Sequence, residues 1–250
     1  SKKHPQQLVT MVPLTKECHT IILPTINPND HNNAVEKYFQ LGKDDVTKRV
    51  LIDLLSQILD EPFYDQLRTK DQFGYSVSCA PRWSFGVMGM SFRVVTSSKC
   101  ASDAVNRIEQ FFSEIRSELV AMNNETFMEN LVGLAKNKLE MFNSLAEECS
   151  HFWSEIVEKR YEWEAYRNEV IALRSLTKED VIKAFDDWFS PVCAKGLQKK
   201  RRQLVVQVVG NGDGELSKGR PLIDPKDIRS EIGKAITGFH KNVAKSTWGK

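Results

Sequence analysis

Glu61-Pro62-Phe63-Tyr64-Asp65-Gln66-Leu67-Arg68-Thr69-Lys70-Asp71-Gln72-Phe73-Gly74-Tyr75 is the stretch in which the chain changes its period. Before it, Val46, Val50, Leu51, Leu54, Leu55, Ile58 and Leu59 recur every three or four residues and form one apolar helical stripe behind an acidic first turn at Asp44 and Asp45. Pro62 suits a first turn and is disfavoured inside a helix, so residues 62–70 are expected as a second helix anchored by Phe63 and Leu67. From Gly74 the period is two. Tyr75, Val77 and Cys79 share one face, residues 81–86 supply a turn, and alternation resumes over residues 87–96, which describes a β-hairpin.

Upstream, residues 20–23 and 34–41 read as strands separated by a turn-rich stretch of Asn, Pro and Asp. Downstream the pattern is helical. Val105, Ile108, Phe111, Phe112, Ile115 and Leu119 make one stripe, Phe127, Leu131, Leu134, Lys138 and Phe142 a second, and Cys149, Phe152, Trp153, Ile156 and Val157 a third. Tyr166, Val170 and Leu173 suggest a fourth, and Thr177-x-x-Asp180 is a capping signature before Val181, Ile182, Phe185, Trp188 and Phe189. Trp153, Trp163 and Trp188 are expected in the core. After a basic linker at Lys199-Lys200-Arg201-Arg202, residues 204–209 read as a last strand, and residues 227–239 as a weak helix in a tail. This order implies an α+β fold of two layers, a mostly antiparallel sheet with helices packed on one face.

The composition is permissive. Hydrophobic residues make up 41% of 250, and 35 Lys and Arg against 33 Asp and Glu leave a formal charge of +2, so no nucleic-acid or membrane partner is expected. Five dispersed cysteines without a Cys-x-x-Cys pair fit a cytoplasmic or other reducing intracellular compartment. No apolar run approaches the roughly 18–20 residues needed to span a bilayer. The start at Ser1, without Met or a signal core, is expected of a piece of a longer polypeptide.

The run from Glu61 to Tyr75 resembles the C-terminal half of the insulysin and pitrilysin family, the insulin-degrading-enzyme-like inverted zinc metallopeptidases. Pro81-Arg82 with Gly86, the run Leu176-Thr177-Lys178-Glu179-Asp180-Val181, and the order of elements over residues 18–209 support the resemblance. Phe73 stands where the family more often has Leu. The resemblance implies a two-layer domain of the pitrilysin type at residues 18–210, between an extension at 1–17 and the tail at 211–250. It implies the last of four such domains, which form two bowl-shaped halves around a closed chamber. In the family the Arg and Tyr of this motif face the zinc site from the opposite half and bind the peptide backbone, which carries over to Arg68 and Tyr75. It further implies that zinc is bound by the N-terminal half of the same polypeptide, that the substrate is a peptide, and that this domain is non-catalytic.

The residue chemistry agrees. Arg presents five donors in a rigid fork and Tyr one phenolic donor, so both can address a peptide carbonyl without ionising. The inverted zinc signature His-x-x-Glu-His occurs nowhere among His4, His19, His31, His151 and His240, so the chain alone is expected to hydrolyse no peptide. The other arrangement with metal-ligand spacing is Glu147, Glu148, His151 and Glu155, which could present one His and two carboxylates to a metal but reads as a solvated helix face. Lys199 to Arg202 could meet an anion but reads as a solvated linker, with no aromatic platform for bases. Two function classes follow: the substrate-binding domain of a zinc metalloendopeptidase, or a metal-free structural or peptide-binding subunit of the same fold.

Overall fold

The computed structural model describes residues 11, 13–14, 18–27, 29–157, 160–191 and 201–211. Along the chain these form β1 (Cys18–Pro24), β2 (Asn33–Lys43), α1 (Val46–Tyr64), a π-helical turn (Asp65–Lys70), β3 (Ser76–Ser84) and β4 (Val87–Thr96). Helices α2 (Ala101–Ala121), α3 (Asn124–Leu139), α4 (Leu145–Val157), α5 (Ala165–Leu173) and α6 (Lys178–Trp188) follow, and then strand β5 (Gln203–Val209). The strands make one sheet in the order β1-β5-β2-β4-β3. Only β1 and β5 pair in parallel; the other three pairings are antiparallel. The fold is therefore the expected α+β architecture. The tail helix at residues 227–239 lies outside the described residues, as does Lys199-Lys200.

Alternation along the strands decides which face the helices cover. Val35 and Phe39 of β2, Met90, Phe92 and Val94 of β4, Val77 and Cys79 of β3 and Val205 of β5 are buried in one cluster with α1, α2 and α6. Its centre is aromatic: the Phe39 ring sits 5.5 Å from Phe112 and 5.3 Å from Phe189, and Phe92 sits 4.8 Å from Phe112, all edge to face. Such pairs add about 0.5–1.5 kcal/mol each beyond their buried area. Lys37 shares this face and is buried, which its ion pair with Glu109 of α2 makes tolerable.

Several local expectations are corrected. Residues 62–70 do not start a second helix: α1 runs through Pro62 to Tyr64 and widens into the π-helical turn. The reason is energetic. An interior proline costs about 3 kcal/mol, but Phe63 and Leu67 are fully buried on the same stripe as Leu59, and each such burial returns about 1.5–3 kcal/mol. The acidic pair precedes the first turn of α1 instead of lying in it. Asp45 is the N-cap and accepts the Lys48 N–H at 3.0 Å, while Asp44 pairs with Arg49 at 2.6 Å.

The hairpin turn is also shorter than expected. Residues 81–84 remain in β3, and Phe85 and Gly86, both with positive φ (49° and 75°), form a two-residue turn. Pro81 is tolerated because β3 is an edge strand. The basic run is not a solvated linker at its described end: Arg201 is 7% exposed, grips both oxygens of Glu109 at 2.8 Å and donates to the Phe189 carbonyl, and Arg202 donates to the Leu14 carbonyl.

The third helical stripe is the largest departure. Cys149, Phe152, Trp153, Ile156 and Val157 of α4 all face outward, and Trp163 is also exposed, so neither Trp153 nor Trp163 belongs to the core. Trp188 is half-buried against Phe189. Cys18, Cys79, Cys100 and Cys149 are free thiols. Among the described residues no helix is long and apolar enough to cross a membrane.

Candidate functional site

Where α1 ends, its hydrogen-bond ladder loosens by one residue. The Asp71 N–H reaches back to the Gln66 carbonyl at 2.9 Å and the Phe73 N–H to the Leu67 carbonyl at 2.7 Å, which makes the last turn wide. Gln72 takes a positive φ of 48° to leave it. Asp71 fixes the exit, because its carboxylate accepts from Arg107 of α2 at 2.5 Å and from Gln66 at 3.0 Å. The backbone then runs so close to β4 that a Cβ on Gly74 would lie 2.3 Å from the Val95 carbonyl oxygen. That same oxygen accepts the Tyr75 N–H at 3.1 Å. Glycine is required at residue 74 by this close approach, as expected of the entry to the hairpin.

This path brings Arg68 and Tyr75 together. A guanidinium nitrogen of Arg68 donates to the Tyr75 carbonyl, and the guanidinium carbon lies 5.5 Å from the centre of the Tyr64 ring, one helical turn earlier. The turn that carries Arg68 is anchored by the buried side chains of Phe63 and Leu67. Tyr64 and Tyr75 are 45% and 55% exposed. Strict alternation would bury Tyr75 with Val77 and Cys79; it stays open because β3 begins only at Ser76. Among the described residues the Tyr75 hydroxyl and the other Arg68 donors have no protein partner. The corner therefore offers several unspent donors on a rigid support. On the flank of the same turn Lys70 pairs with Asp65 at 2.9 Å and holds that carboxyl below its usual range.

Tyr64 is the member that the motif reading missed. Its signal was the i, i+4 spacing to Arg68, which places a ring and a cation on one helical face. The alternative cluster on α4 is dispersed. Glu155 is buried against Arg160 at 2.5 Å, Glu147 accepts the Asn143 N–H at 2.9 Å, and His151 stacks on Tyr166 at 4.4 Å. Among the described residues no three His, Cys, Asp or Glu side chains are placed to hold a metal ion.

Comparison with known proteins decides the family. Residues 54–153 match the model for the C-terminal lobe domain 4 of PqqF-like PQQ synthase. The chain is 35% identical over 191 residues to a nardilysin-like protein of Arabidopsis thaliana, across 74% of this chain and 18% of that protein. It is 33% identical over 158 residues to human insulin-degrading enzyme, across 63% of this chain and 15% of the enzyme. The chain belongs to the insulin-degrading-enzyme and pitrilysin family of metallopeptidases, as a domain of the C-terminal type. Among solved structures, crystalline pitrilysin superposes with a TM-score of 0.68 at 22% identity, over 84% of this chain and 22% of pitrilysin, which bears on the fold. A domain described as the inactive domain of a peptidase from Pseudomonas fluorescens superposes at 0.54 with 14% identity, over 78% of this chain and 43% of that one. The chain thus spans about a fifth of the length of the curated relatives it matches, 15–22% of each of three.

Proposed function

We propose that this domain is the non-catalytic, substrate-binding C-terminal part of a zinc metalloendopeptidase that degrades peptides in a closed chamber. The observation that carries the reading is the corner at Arg68. A buried anchor, a widened turn and an obligatory glycine tie the Arg68 guanidinium to the Tyr75 backbone carbonyl and leave the exposed Tyr75 hydroxyl and the other Arg68 donors open. Rigid support is what peptide positioning demands, because a donor aligned before the substrate arrives costs no reorganisation during the reaction.

The zinc of such an enzyme would supply the activated water, and the residues of this chain do not fit it as ligands. None of its five histidines stands in a His-x-x-Glu-His arrangement. The metal would be held by the N-terminal half of the same polypeptide, which is the domain's principal partner. The task left to this chain is to bind and orient. The open N–H groups of Arg68 take peptide carbonyl oxygens in a fork, the Tyr75 hydroxyl donates to a carbonyl at the scissile position, and Tyr64 keeps the guanidinium flat. A donor aimed at the developing oxyanion is worth about 100- to 1000-fold in turnover.

The test is turnover of the full-length polypeptide carrying Arg68→Ala or Tyr75→Phe, with zinc content measured alongside. The expected result is a fall in kcat of about 100- to 1000-fold for a donor that meets the oxyanion, at unchanged zinc. Wild-type turnover in both variants would sink the assignment.

A further inference from the structure

Between the end of α1 and the second half of α2 the surface opens into a groove that the Arg68 corner does not use. It consists of two cavities of about 250 and about 350 Å³ that share Glu61, Pro62, Ile115 and Glu118 in their walls, so the two are continuous. The first runs along the widened turn that carries Arg68, because Asp65, Gln66 and Lys70 line it. The second ends against Thr126 and Asn130 of α3. The floor is apolar: Ile58 and Pro62 of α1, Phe111, Ile115 and Leu119 of α2, and Met122 at the α2 end.

The walls carry charge of one sign. Glu61, Asp65, Glu114 and Glu118 line the groove, and among its described lining residues Lys70 is the only cation. Lys70 is paired with Asp65 at 2.9 Å, and Glu114 is paired at 3.0 Å with Arg107, which Asp71 shares. Five carboxylates thus meet two cations, a local excess of three negative charges in a chain whose formal charge is +2. Among the described residues the Glu61 and Glu118 carboxylates have no hydrogen-bond or ion-pair partner. The spacing adds to the imbalance. Glu61 with Asp65 and Glu114 with Glu118 are like charges four residues apart, and each such pair works against its own helix. A cation laid between the two walls relieves both.

We infer that this groove is a second subsite for the peptide, taking a basic stretch whose aliphatic side chain lies on the floor while Lys or Arg side chains reach Glu61 and Glu118. The inference rests on the proposed reading of Arg68 and Tyr75 as the place where a peptide backbone is held. Charge complementarity argues for this occupant, because an anionic or purely apolar segment would leave the two open carboxylates unpaired beside it. Continuity argues the same way. The row Glu61 and Asp65 is one residue out of step with the row Tyr64 and Arg68, so the two lie roughly 100° apart around one helix. About four residues of extended peptide, at about 3.3 Å each, span the width of a helix. A peptide held by its backbone at Arg68 therefore brings a side chain about four residues away into the groove. Arg68 addresses the backbone that every peptide has, and the groove selects by charge.

Steady-state kinetics of the full-length polypeptide test the inference. Two synthetic substrates share one cleaved core and differ in a tripeptide about four residues from the scissile bond, placed on each side in turn: Lys-Leu-Lys in one and Glu-Leu-Glu in the other. The variant is Glu61→Gln with Glu118→Gln, which keeps both side-chain shapes and removes their charge. The expected result is that the preference in kcat/KM for the Lys-Leu-Lys substrate falls by about tenfold in the variant, with the loss in KM. An unchanged preference would overturn the inference. Binding is read separately from the anisotropy of a fluorescein-labelled Lys-Leu-Lys peptide on the 250-residue chain and on the full-length polypeptide. It is expected to be about tenfold weaker for the variant in both and to weaken as salt is raised. Binding by the 250-residue chain that vanishes in the full-length polypeptide would also overturn the inference, since another part of the polypeptide would then fill the groove. The two proposals fail separately. Charge-blind kinetics together with a slow Arg68→Ala enzyme removes only the groove, while charge-selective kinetics with wild-type turnover in Arg68→Ala and Tyr75→Phe removes only the backbone assignment.

Discussion

The Arg68 corner and the α4 face expose aromatic rings in comparable measure, yet they are layered in opposite ways. Under Arg68 the support is apolar, Phe63 and Leu67, and the outer layer is a guanidinium and two phenols. Beside the α4 stripe the pairs are charged: Glu155 on Arg160, and Lys138, which lines one pocket with Phe152, between Asp53 and Glu169. The outer layer there is Leu145, Trp153 and Ile156. Exposure by itself therefore says little about role. At Arg68 open donors stand over buried apolar side chains, and on α4 exposed apolar side chains stand beside charged pairs.

The contrast breaks most severely if the charged floor is opened. Lys138→Ala leaves the half-buried Asp53 carboxylate without its cation and the buried Glu169 with Arg49 alone, at 3.6 Å, and breaking such a pair costs about 3–5 kcal/mol, to be read from urea unfolding. Burial alone would depress the Lys138 ammonium, but Asp53 and Glu169 outweigh it and hold its pKa above the usual 10.5. Its stabilisation is therefore complete below pH 10.5 and is lost only as pH rises through the higher folded value. A wild-type unfolding midpoint in Lys138→Ala would deny the network its role.

The apolar floor is the counterpart. Leu67→Ala is expected to cost about 2–5 kcal/mol and, on the proposed reading, to reduce turnover of the full-length polypeptide, because the turn that carries Arg68 loses its buried anchor. Gly74→Ala drives a methyl group against the Val95 carbonyl and should cost about 1–3 kcal/mol; a thermal melt equal to wild type would show that the approach can relax.

Two smaller effects sharpen the scale. Asp45 caps α1, the helix that leads into the Arg68 turn, and Asp45→Ala should cost about 1 kcal/mol. Burial would raise its carboxyl, but the hydrogen bonds and charge of Lys48 hold it below its usual 3.8. The cap's contribution is therefore full above pH 3.8 and fades as acid carries the protein through the lower folded value. Trp153→Glu, on the open α4 face, should change the stability of this chain by no more than about 0.5 kcal/mol. A larger loss would mean that the ring already packs within the domain.

Much of this contrast was legible in the residues, and the illegible parts have physical reasons. The stripes of α1 and α2, the hairpin after Gly74 and the cap at Thr177 follow periodicity and local chemistry, and the fold keeps them. Thr177 and Asp180 close a reciprocal cap, with hydroxyl and carboxylate 2.7 Å apart. Pro62 misled because burial of Phe63 and Leu67 outweighs a backbone penalty that local sequence cannot weigh. Arg201 misled because its partner, Glu109, is 92 residues away in the chain. The α4 stripe misled in a more instructive way: periodicity reports which side of a helix is apolar without saying whether that side is buried, and here it is exposed. At the site, Arg68 and Tyr75 were readable as a motif, but the glycine-enforced path that joins them, and the Tyr64 ring beneath the guanidinium, appear only in three dimensions.

The most direct test of the central claim is the turnover of Arg68→Lys in the full-length polypeptide. Lysine keeps the charge and loses the planar fork of donors. If Arg68 positions peptide carbonyls through that fork, kcat falls by at least about tenfold, one forked hydrogen bond's worth, at unchanged zinc content and melting temperature. Wild-type turnover in Arg68→Lys would show that charge alone suffices and would contradict the assignment of this corner to the peptide backbone.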